Sequence, residues 1–154
     1  MFRGCFIHTI DSKGRTSLPA QYRVALQRRG KQPPFLTNGN EHLLLYPYED
    51  WCAYEQQILS VPRVDPNVQA YVRFMVSGAS PCAIDKQGRI LIPPPLRARA
   101  KLEREVVFAG VGECIEVWDK DRFDAEQARI AARLPEIAMQ VASQISPRET
   151  KPSE

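Results

Sequence analysis

The sequence predicts an α+β protein made of two tandem copies of one small unit, each followed by helices. The first observation is the pentapeptide DSKGR at residues 11–15, which returns as DKQGR at residues 85–89. The second is that short apolar runs and one amphipathic run surround both pentapeptides in the same order. The third is that the sequence after each copy has helical periodicity.

The repeat extends well beyond the pentapeptide. An ungapped alignment of residues 4–23 with residues 78–97 gives seven identities in 20 positions. After a two-residue gap, residues 35–51 align with residues 107–123, and apolar positions again coincide. Two matching blocks in the same order indicate an internal duplication. We therefore expect equivalent residues to occupy equivalent places in the two copies.

Each copy predicts the order strand, turn, strand, helix, and then a strand or a hairpin. In the first copy, apolar runs predict strands at 5–10, 16–18 and 43–46, and AQYRVALQRR predicts a helix at 20–29. In the second copy, the matching strands are predicted at 82–84, 90–92 and 115–118, and the helix at 94–105. Pro81 has no N–H to donate, so the first strand of the second copy is expected to be short or to lie at a sheet edge.

The Asp-x-x-Gly sequence in each pentapeptide predicts a hairpin turn. Asp11 and Asp85 can accept hydrogen bonds from backbone N–H groups of their own turns. Gly14 and Gly88 can adopt the positive φ that closes such a turn. We interpret these four residues as structural. The glycines permit the turn, and an aspartate side chain directed at a bound polyanion would be repelled by it.

The two copies divide the chain into five segments. The helical stretches that follow or link the copies are predicted at 49–59, 68–76, 121–133 and 135–145. The segments are a first repeat with its helix at 1–60, a helical connector at 61–77, a second repeat at 78–132, a C-terminal helix at 133–145 and a disordered tail at 146–154.

Positive charge is concentrated in the same part of both copies. The chain carries a net charge of +3, but residues 1–31 carry +6 and residues 78–104 carry +4. Residues 32–77 and 105–154 are acidic, at −3 and −4. Two equivalent basic segments, each with the turn and the helix after it, favour a polyanion with regularly spaced phosphates, although a solvated helix face would also be basic.

Several other classes of protein are not indicated. No leader sequence and no apolar run long enough to cross a membrane is recognisable, so we expect an intracellular protein. The cysteines and histidines do not have the spacing of a zinc site, so we expect free thiols, no metal and no cofactor. Neither turn is accompanied by a nucleophile or a phosphate loop at repeated positions, which argues against an enzyme.

The two signature stretches, IDSKGRTSLPAQYR and IDKQGRILIPPPLR, resemble the two halves of the MraZ family of bacterial transcriptional regulators. The resemblance covers residues 1–140. It implies AbrB-like swapped-hairpin half-units that together form a small pseudo-symmetric barrel. It also implies a ring-shaped homo-oligomer in the cytoplasm and nucleoid. Such a ring would bind double-stranded DNA at short direct repeats upstream of its own gene, in the division and cell wall gene cluster, mostly as a repressor.

The resemblance implies that the turns contact DNA, and Arg15 and Arg89 are the first candidates. Each guanidinium can grip a phosphate or fork onto a guanine edge, or it can pair with the Asp of its own turn. Lys13 and Lys86 are candidate phosphate contacts, one position out of register between the copies. Arg3 is a further candidate that has no counterpart in the second copy.

Some alternatives stay open at this level. Arg23 and Arg97, one turn into the helices, can face phosphate or solvent. The apolar helix residues can pack within one chain or between chains; they are Trp51, Tyr54, Ile58, Phe74 and Phe123. An alternative function is an oligomeric interaction protein whose basic turns dock an acidic protein partner.

Overall fold

The computed structural model describes residues 1–145 and shows a mixed α+β protein, which confirms the predicted class. The chain forms two compact units, one of residues 1–120 and one that begins at Asp121. The tail predicted at 146–154 lies outside the described residues.

The two copies have the same order of elements, as the repeat predicts. The first contains β1 (Cys5–Thr9), β2 (Arg15–Ser17), α1 (Ala20–Arg28), β3 (Phe35–Asn38), β4 (Leu43–Tyr46) and α2 (Tyr48–Ser60). A connecting helix follows, α3 (Pro66–Ser77). The second contains β5 (Ser80–Pro81), β6 (Arg89–Leu91), α4 (Pro94–Arg99), β7 (Glu105–Gly110), β8 (Ile115–Asp119) and α5 (Lys120–Ala132). The last described helix is α6 (Leu134–Ala142).

Strands from the two copies are interleaved in one antiparallel sheet, in the order β1-β7-β8-β4-β3-β5. In the repeat, β1 is equivalent to β5, β3 to β7 and β4 to β8. Exchanging equivalent strands gives the same order read from the other end. The two central strands, β4 and β8, place Leu44 opposite Glu116, which are equivalent positions of the repeat. A pseudo-twofold axis therefore passes through this pair, and the duplication seen in the sequence becomes a symmetry of the fold.

The signature strands β2 and β6 form a separate two-stranded antiparallel ribbon on the same pattern. Thr16 lies opposite Ile90, again an equivalent pair. The Leu18 N–H donates to the Gly88 carbonyl at 2.9 Å, and the Ile92 N–H donates to the Gly14 carbonyl at 2.8 Å. These two bonds extend the hydrogen-bond ladder at both ends, so the ladder joins the two turns.

The main core lies beneath the ribbon and draws on both copies. Leu18 and its equivalent Ile92 are 1% and 0% exposed, and Tyr22 and its equivalent Leu96 are also buried. Burying each aliphatic side chain of this size contributes about 1.5–3 kcal/mol. The Tyr22 hydroxyl satisfies its buried hydrogen by donating to the Gly4 carbonyl at 2.6 Å. Neither copy could bury these faces alone.

A second apolar cluster packs α2 and α3 against strands β3 and β4 of the first copy. Its buried members are Trp51, Ile58 and Met75, and Tyr54 and Phe74 are partly buried against it. These contacts are within the chain, so four of the five helix residues left undecided by the sequence belong at least in part to this cluster.

The first strand of the second copy is shorter than predicted. The sequence predicts it at 82–84, whereas β5 contains only Ser80 and Pro81 and pairs at the sheet edge with β3. The short edge strand expected from Pro81 is confirmed, but its position was wrong. Cys82 leaves the strand and its N–H donates instead to the Pro34 carbonyl.

The helix predicted at 94–105 is also too long, because α4 ends at Arg99. Lys101 adopts a φ of +53° and its N–H donates to the Ala98 carbonyl, while the Leu102 N–H donates to the Arg97 carbonyl. This is a Schellman ending, here with lysine where glycine is usual. Leu102 is buried, and its insertion into the core ends the helix.

The outer strands of the main sheet, β1 and β5, are not paired with each other. Within residues 1–145 the sheet is therefore open, and the small barrel that the resemblance implies is not closed by these strands.

The second unit contains α6 and all of α5 but its first residue. Arg129 forms an ion pair with Glu126 on α5, and Arg133 forms one with Glu136 at the start of α6. The large apolar side chains of this unit that stay exposed are Leu134, Met139, Val141 and Ile145. Within the part of the chain that the structure describes, no helix is long and apolar enough to cross a membrane.

Candidate nucleic-acid interface

The two pentapeptides form the same turn. The Asp11 carboxylate accepts from the backbone N–H groups of Lys13 and Arg15, both at 2.9 Å. The Asp85 carboxylate accepts in the same way from Gln87 at 2.8 Å and Arg89 at 2.9 Å. In both turns the Asp N–H also donates to the Arg carbonyl at 2.9 Å. The carboxylates thus face their own backbone and leave the basic side chains outside.

The glycines of both turns are required by geometry. Gly14 and Gly88 have φ values of +87° and +76°, a region that other residues enter at a cost. A Cβ atom on Gly14 would also lie 2.7 Å from the Ile92 carbonyl oxygen of the opposite copy. Gly14 therefore permits both the turn and the approach of the second copy.

Each turn binds its own arginine through Nε and leaves at least one terminal guanidinium nitrogen without an acceptor among residues 1–145. Arg15 Nε donates to Asp11 Oδ2 at 2.8 Å, and Arg89 Nε donates to Asp85 Oδ2 at 3.0 Å. Arg89 Nη2 also donates to Gln87 Oε1 at 2.5 Å, whereas within residues 1–145 the Nη atoms of Arg15 have no acceptor. Both side chains stay partly exposed, at 38% and 32%. The two sequence alternatives, pairing with Asp and an open guanidinium, are therefore compatible.

Hydrogen bonds within each turn lower the pKa of its carboxyl group below the ordinary value of 3.8. The pKa of Asp11 is lowered chiefly by the backbone hydrogen bond from Arg15, with the Arg15 side chain adding to the effect. The pKa of Asp85 is lowered in the same way by Arg89. Each arginine is thus oriented at Nε by a fixed negative charge, while its side chain stays partly exposed.

The β2–β6 ribbon puts the two arginines on one face. Thr16 and Ile90, on the inner face, are each only 1% exposed. Arg15 lies opposite Leu91, and Ser17 lies opposite Arg89, so these four residues share the outer face. Diagonal neighbours across a ribbon are roughly 7–8 Å apart, which places the two guanidinium groups within reach of one ligand.

Arg23 and Arg97 serve the turn of the opposite copy, an arrangement that neither sequence alternative included. Arg97 Nη1 donates to the Ser12 carbonyl at 3.0 Å, and its guanidinium lies beside Gly14. In the other direction, the Arg23 guanidinium lies beside Gly88. The sequence shows that Arg23 and Arg97 occupy equivalent positions of the repeat. The residues alone do not show that each of them contacts the other copy.

The remaining candidates are divided by the structure. Lys13 and Lys86 are exposed at the turns, close to the ribbon. Arg3 lies beyond the other end of β1, a strand of five residues at about 3.3 Å each, so it is separated from the turns. The structure places Arg15 and Arg89 on the ribbon and Lys13 and Lys86 at the turns on its opposite ends, and it leaves Arg3 apart.

The chemistry available here is that of an anion-binding surface. Four cations stand at the ribbon and its turns, and the two carboxylates among them already accept three hydrogen bonds each. No cluster of His, Cys, Asp or Glu suited to a metal ion occurs among the residues described.

Comparison with known proteins finds one family model twice in this chain. Residues 1–74 and 75–140 each match the family model described as "MraZ protein, putative antitoxin-like". The chain is 42% identical over 139 residues to "Transcriptional regulator MraZ" of Desulforamulus reducens, covering 90% of this chain and 95% of that protein. It is 39% identical over 146 residues to the protein of the same name from Thermomicrobium roseum, covering 94% and 100%. The family boundary at residue 74 falls between the two copies.

Proposed function

Since the chain belongs to the MraZ family of transcriptional regulators, we propose that its interlocked turns bind double-stranded DNA. The family is one of regulators and not of enzymes. What remains to be assigned is the surface that does the binding and the form of DNA that it takes.

The observation that carries the proposal is the outer face of the β2–β6 ribbon, with two arginines on it and a lysine at each turn. The major groove is about 12 Å wide and admits a two-stranded β-ribbon. Arginine can fork onto the O6 and N7 atoms of guanine, and lysine can neutralise phosphates. We assign Arg15 and Arg89 to base edges or phosphates, and Lys13 and Lys86 to phosphates. Arg3 would contact only a duplex that extends along β1.

The interlocking of the copies supports a swapped-hairpin arrangement of the two halves. In it, each turn is built by one copy and held by the other, as the reciprocal Leu18–Gly88 and Ile92–Gly14 hydrogen bonds require. Both turns then move as one rigid body, which lowers the ordering cost of binding.

We further propose that the acting species is a ring-shaped homo-oligomer on short direct repeats upstream of its own gene in the division and cell wall cluster, as a repressor in the cytoplasm and nucleoid. One ribbon offers few base contacts, and each wrong base pair costs only about 1–3 kcal/mol. Tethering several ribbons on repeated sites raises affinity through effective concentration. The exposed apolar residues of α6, such as Met139 and Val141, support self-association.

The test is fluorescence anisotropy with a labelled duplex from upstream of the protein's own gene and a shuffled duplex. Wild type should prefer the upstream duplex, and its log affinity should fall with log salt by about 0.9 per phosphate neutralised. Arg15→Ala and Arg89→Ala should each lose that preference. Arg63→Ala is the matched control, because Arg63 is exposed and lies away from the ribbon, between α2 and α3.

Chromatography should show that every variant keeps the wild-type oligomer size. If wild type binds neither duplex, or if the ribbon variants bind like the control, the proposal is wrong. The basic turns would then fit an acidic protein partner, whose docking needs no DNA.

A further inference from the structure

The outer face of the ribbon is not symmetric, although the ribbon backbone is. Arg15 lies opposite Leu91, and Arg89 lies opposite Ser17. Under the pseudo-twofold symmetry these two pairs are equivalent, so leucine in one half replaces serine in the other. Each arginine therefore has a different neighbour on the binding face.

These neighbours stand close to their arginines. The flanking bonds, Leu18 N–H to Gly88 and Ile92 N–H to Gly14, make both pairs non-hydrogen-bonded pairs of the antiparallel ladder. In such pairs the Cα atoms are about 4.5 Å apart and the side chains are adjacent. Whatever Arg15 contacts therefore also lies within reach of Leu91.

Leu91 is 55% exposed, although its two neighbours along the strand, Ile90 and Ile92, are buried. An isobutyl group on a face of cations can offer only van der Waals contact and exclusion of water. Serine at the equivalent position 17 can both donate and accept a hydrogen bond. In the major groove, the thymine C5-methyl is the one apolar group on a base edge, and a hydroxyl can bond to any base.

From this asymmetry we infer that Leu91 contacts a thymine methyl group next to the base or phosphate bound by Arg15, and that the Arg89–Ser17 half has no such requirement. The inference rests on the proposed function, since it needs the ribbon to enter a major groove. It follows that the two halves of the ribbon read different sequences and that the DNA site is not itself symmetric.

The experiment replaces each thymine of the bound duplex by uracil, one position at a time, which removes only the methyl group. Wild type should bind one such duplex about fourfold more weakly, the effect of one buried methyl-sized group. L91S should bind that duplex and its thymine parent equally. L91M, which keeps an apolar side chain, should retain the discrimination, and S17L should create it at a second position.

The outcomes separate the inference from the proposed function. If wild type binds no duplex, both are wrong. If wild type binds the upstream duplex but no uracil substitution weakens binding, or if L91S keeps the same sensitive thymine, the inference is overturned and the function stands. If L91S changes the oligomer size, Leu91 contacts a second copy of the chain, and the inference is overturned in that case as well.

Discussion

Arg97 donates through Nη1 to the Ser12 carbonyl at 3.0 Å, so a helix of the second copy holds the turn of the first. The reverse arrangement places the Arg23 guanidinium beside Gly88. The two arginines are equivalent in the repeat, and each acts on the copy to which it does not belong. The order of each turn therefore depends on the other half of the molecule.

This dependence predicts a crossed effect on local stability. Arg97→Gln should speed amide hydrogen exchange in residues 11–15, and Arg23→Gln should speed it in residues 85–89. Loss of the Arg97–Ser12 hydrogen bond, about 1 kcal/mol, corresponds to about fivefold faster exchange. Arg23→Gln should have the smaller effect, because it removes only the contact beside Gly88. Exchange measured by mass spectrometry on the intact protein distinguishes the two peptides, with Arg63→Gln as the control. Faster exchange in the variant's own turn, with the opposite turn unchanged, would contradict the crossed arrangement.

The two turn glycines should differ in their tolerance of alanine. Both substitutions incur the cost of a positive φ, about 1–2 kcal/mol. Gly14→Ala also pushes its Cβ against the Ile92 carbonyl, which is fixed in the ladder, whereas Gly88→Ala meets the flexible end of Arg23. Gly14→Ala should therefore lower the free energy of unfolding more than Gly88→Ala does.

Denaturant unfolding measures this difference, and Gly112→Ala is the matched control. Gly112 has a φ of +98° with no neighbour within 4 Å of its Cβ position, so it isolates the backbone cost. Gly88→Ala should fall between this control and Gly14→Ala, because its Cβ must also displace the Arg23 guanidinium. Equal effects of Gly14→Ala and Gly112→Ala would show that the Ile92 contact does not constrain the turn.

Because of the two turn carboxylates, the stability of the fold should decrease at acidic pH. The pKa of Asp11 in the folded protein is lowered from the ordinary value of 3.8, chiefly by the backbone hydrogen bond from Arg15. A lowered pKa stabilises the fold above about pH 3.8, and this stabilisation is lost as pH falls through the lowered value. Asp11→Asn should therefore reduce Tm at pH 7, and its difference from wild type should shrink below pH 3.8.

Asp85→Asn should behave in the same way, because the pKa of Asp85 is lowered by the same bonds from Arg89. Glu103→Gln, an exposed carboxylate with no hydrogen bond among residues 1–145, provides the control in thermal melts between pH 3 and pH 7. A difference between Asp11→Asn and wild type that stays constant with pH would show that the charge of Asp11 does not support the turn.

Much of the local structure could be predicted from the sequence. The strand at 43–46 is confirmed residue by residue, because four consecutive large side chains lie between a Gly-Asn turn and a proline. The Asp-x-x-Gly turns were also predictable, since aspartate and glycine have specific roles at those positions. The repeat itself supplied the equivalence of the two copies.

Pairing between the copies is implied by the family resemblance but could not be derived from the residues themselves. Periodicity shows that β2 is a strand but not that its partner is β6, which lies more than 70 residues away in the chain. The partner of Arg97 is an ordinary backbone carbonyl, and no residue type marks it. The end of α4 was missed for a similar reason, because burial of Leu102 outweighs the good helix formers around it.

The central claim is that each turn proposed to bind DNA is held in place by the opposite copy, and a pair of double-mutant cycles tests it most directly. Arg97→Gln is combined with Arg15→Ala, in the turn that Arg97 holds, and separately with Arg89→Ala, in its own copy. DNA affinity is measured for each single and double variant.

We expect Arg97 and Arg15 to be coupled by at least about 0.5 kcal/mol, because Arg97 acts by holding the turn that carries Arg15. Arg97 and Arg89 should be additive within about 0.3–0.5 kcal/mol. Additivity in both cycles, or coupling only between Arg97 and Arg89, would contradict the account.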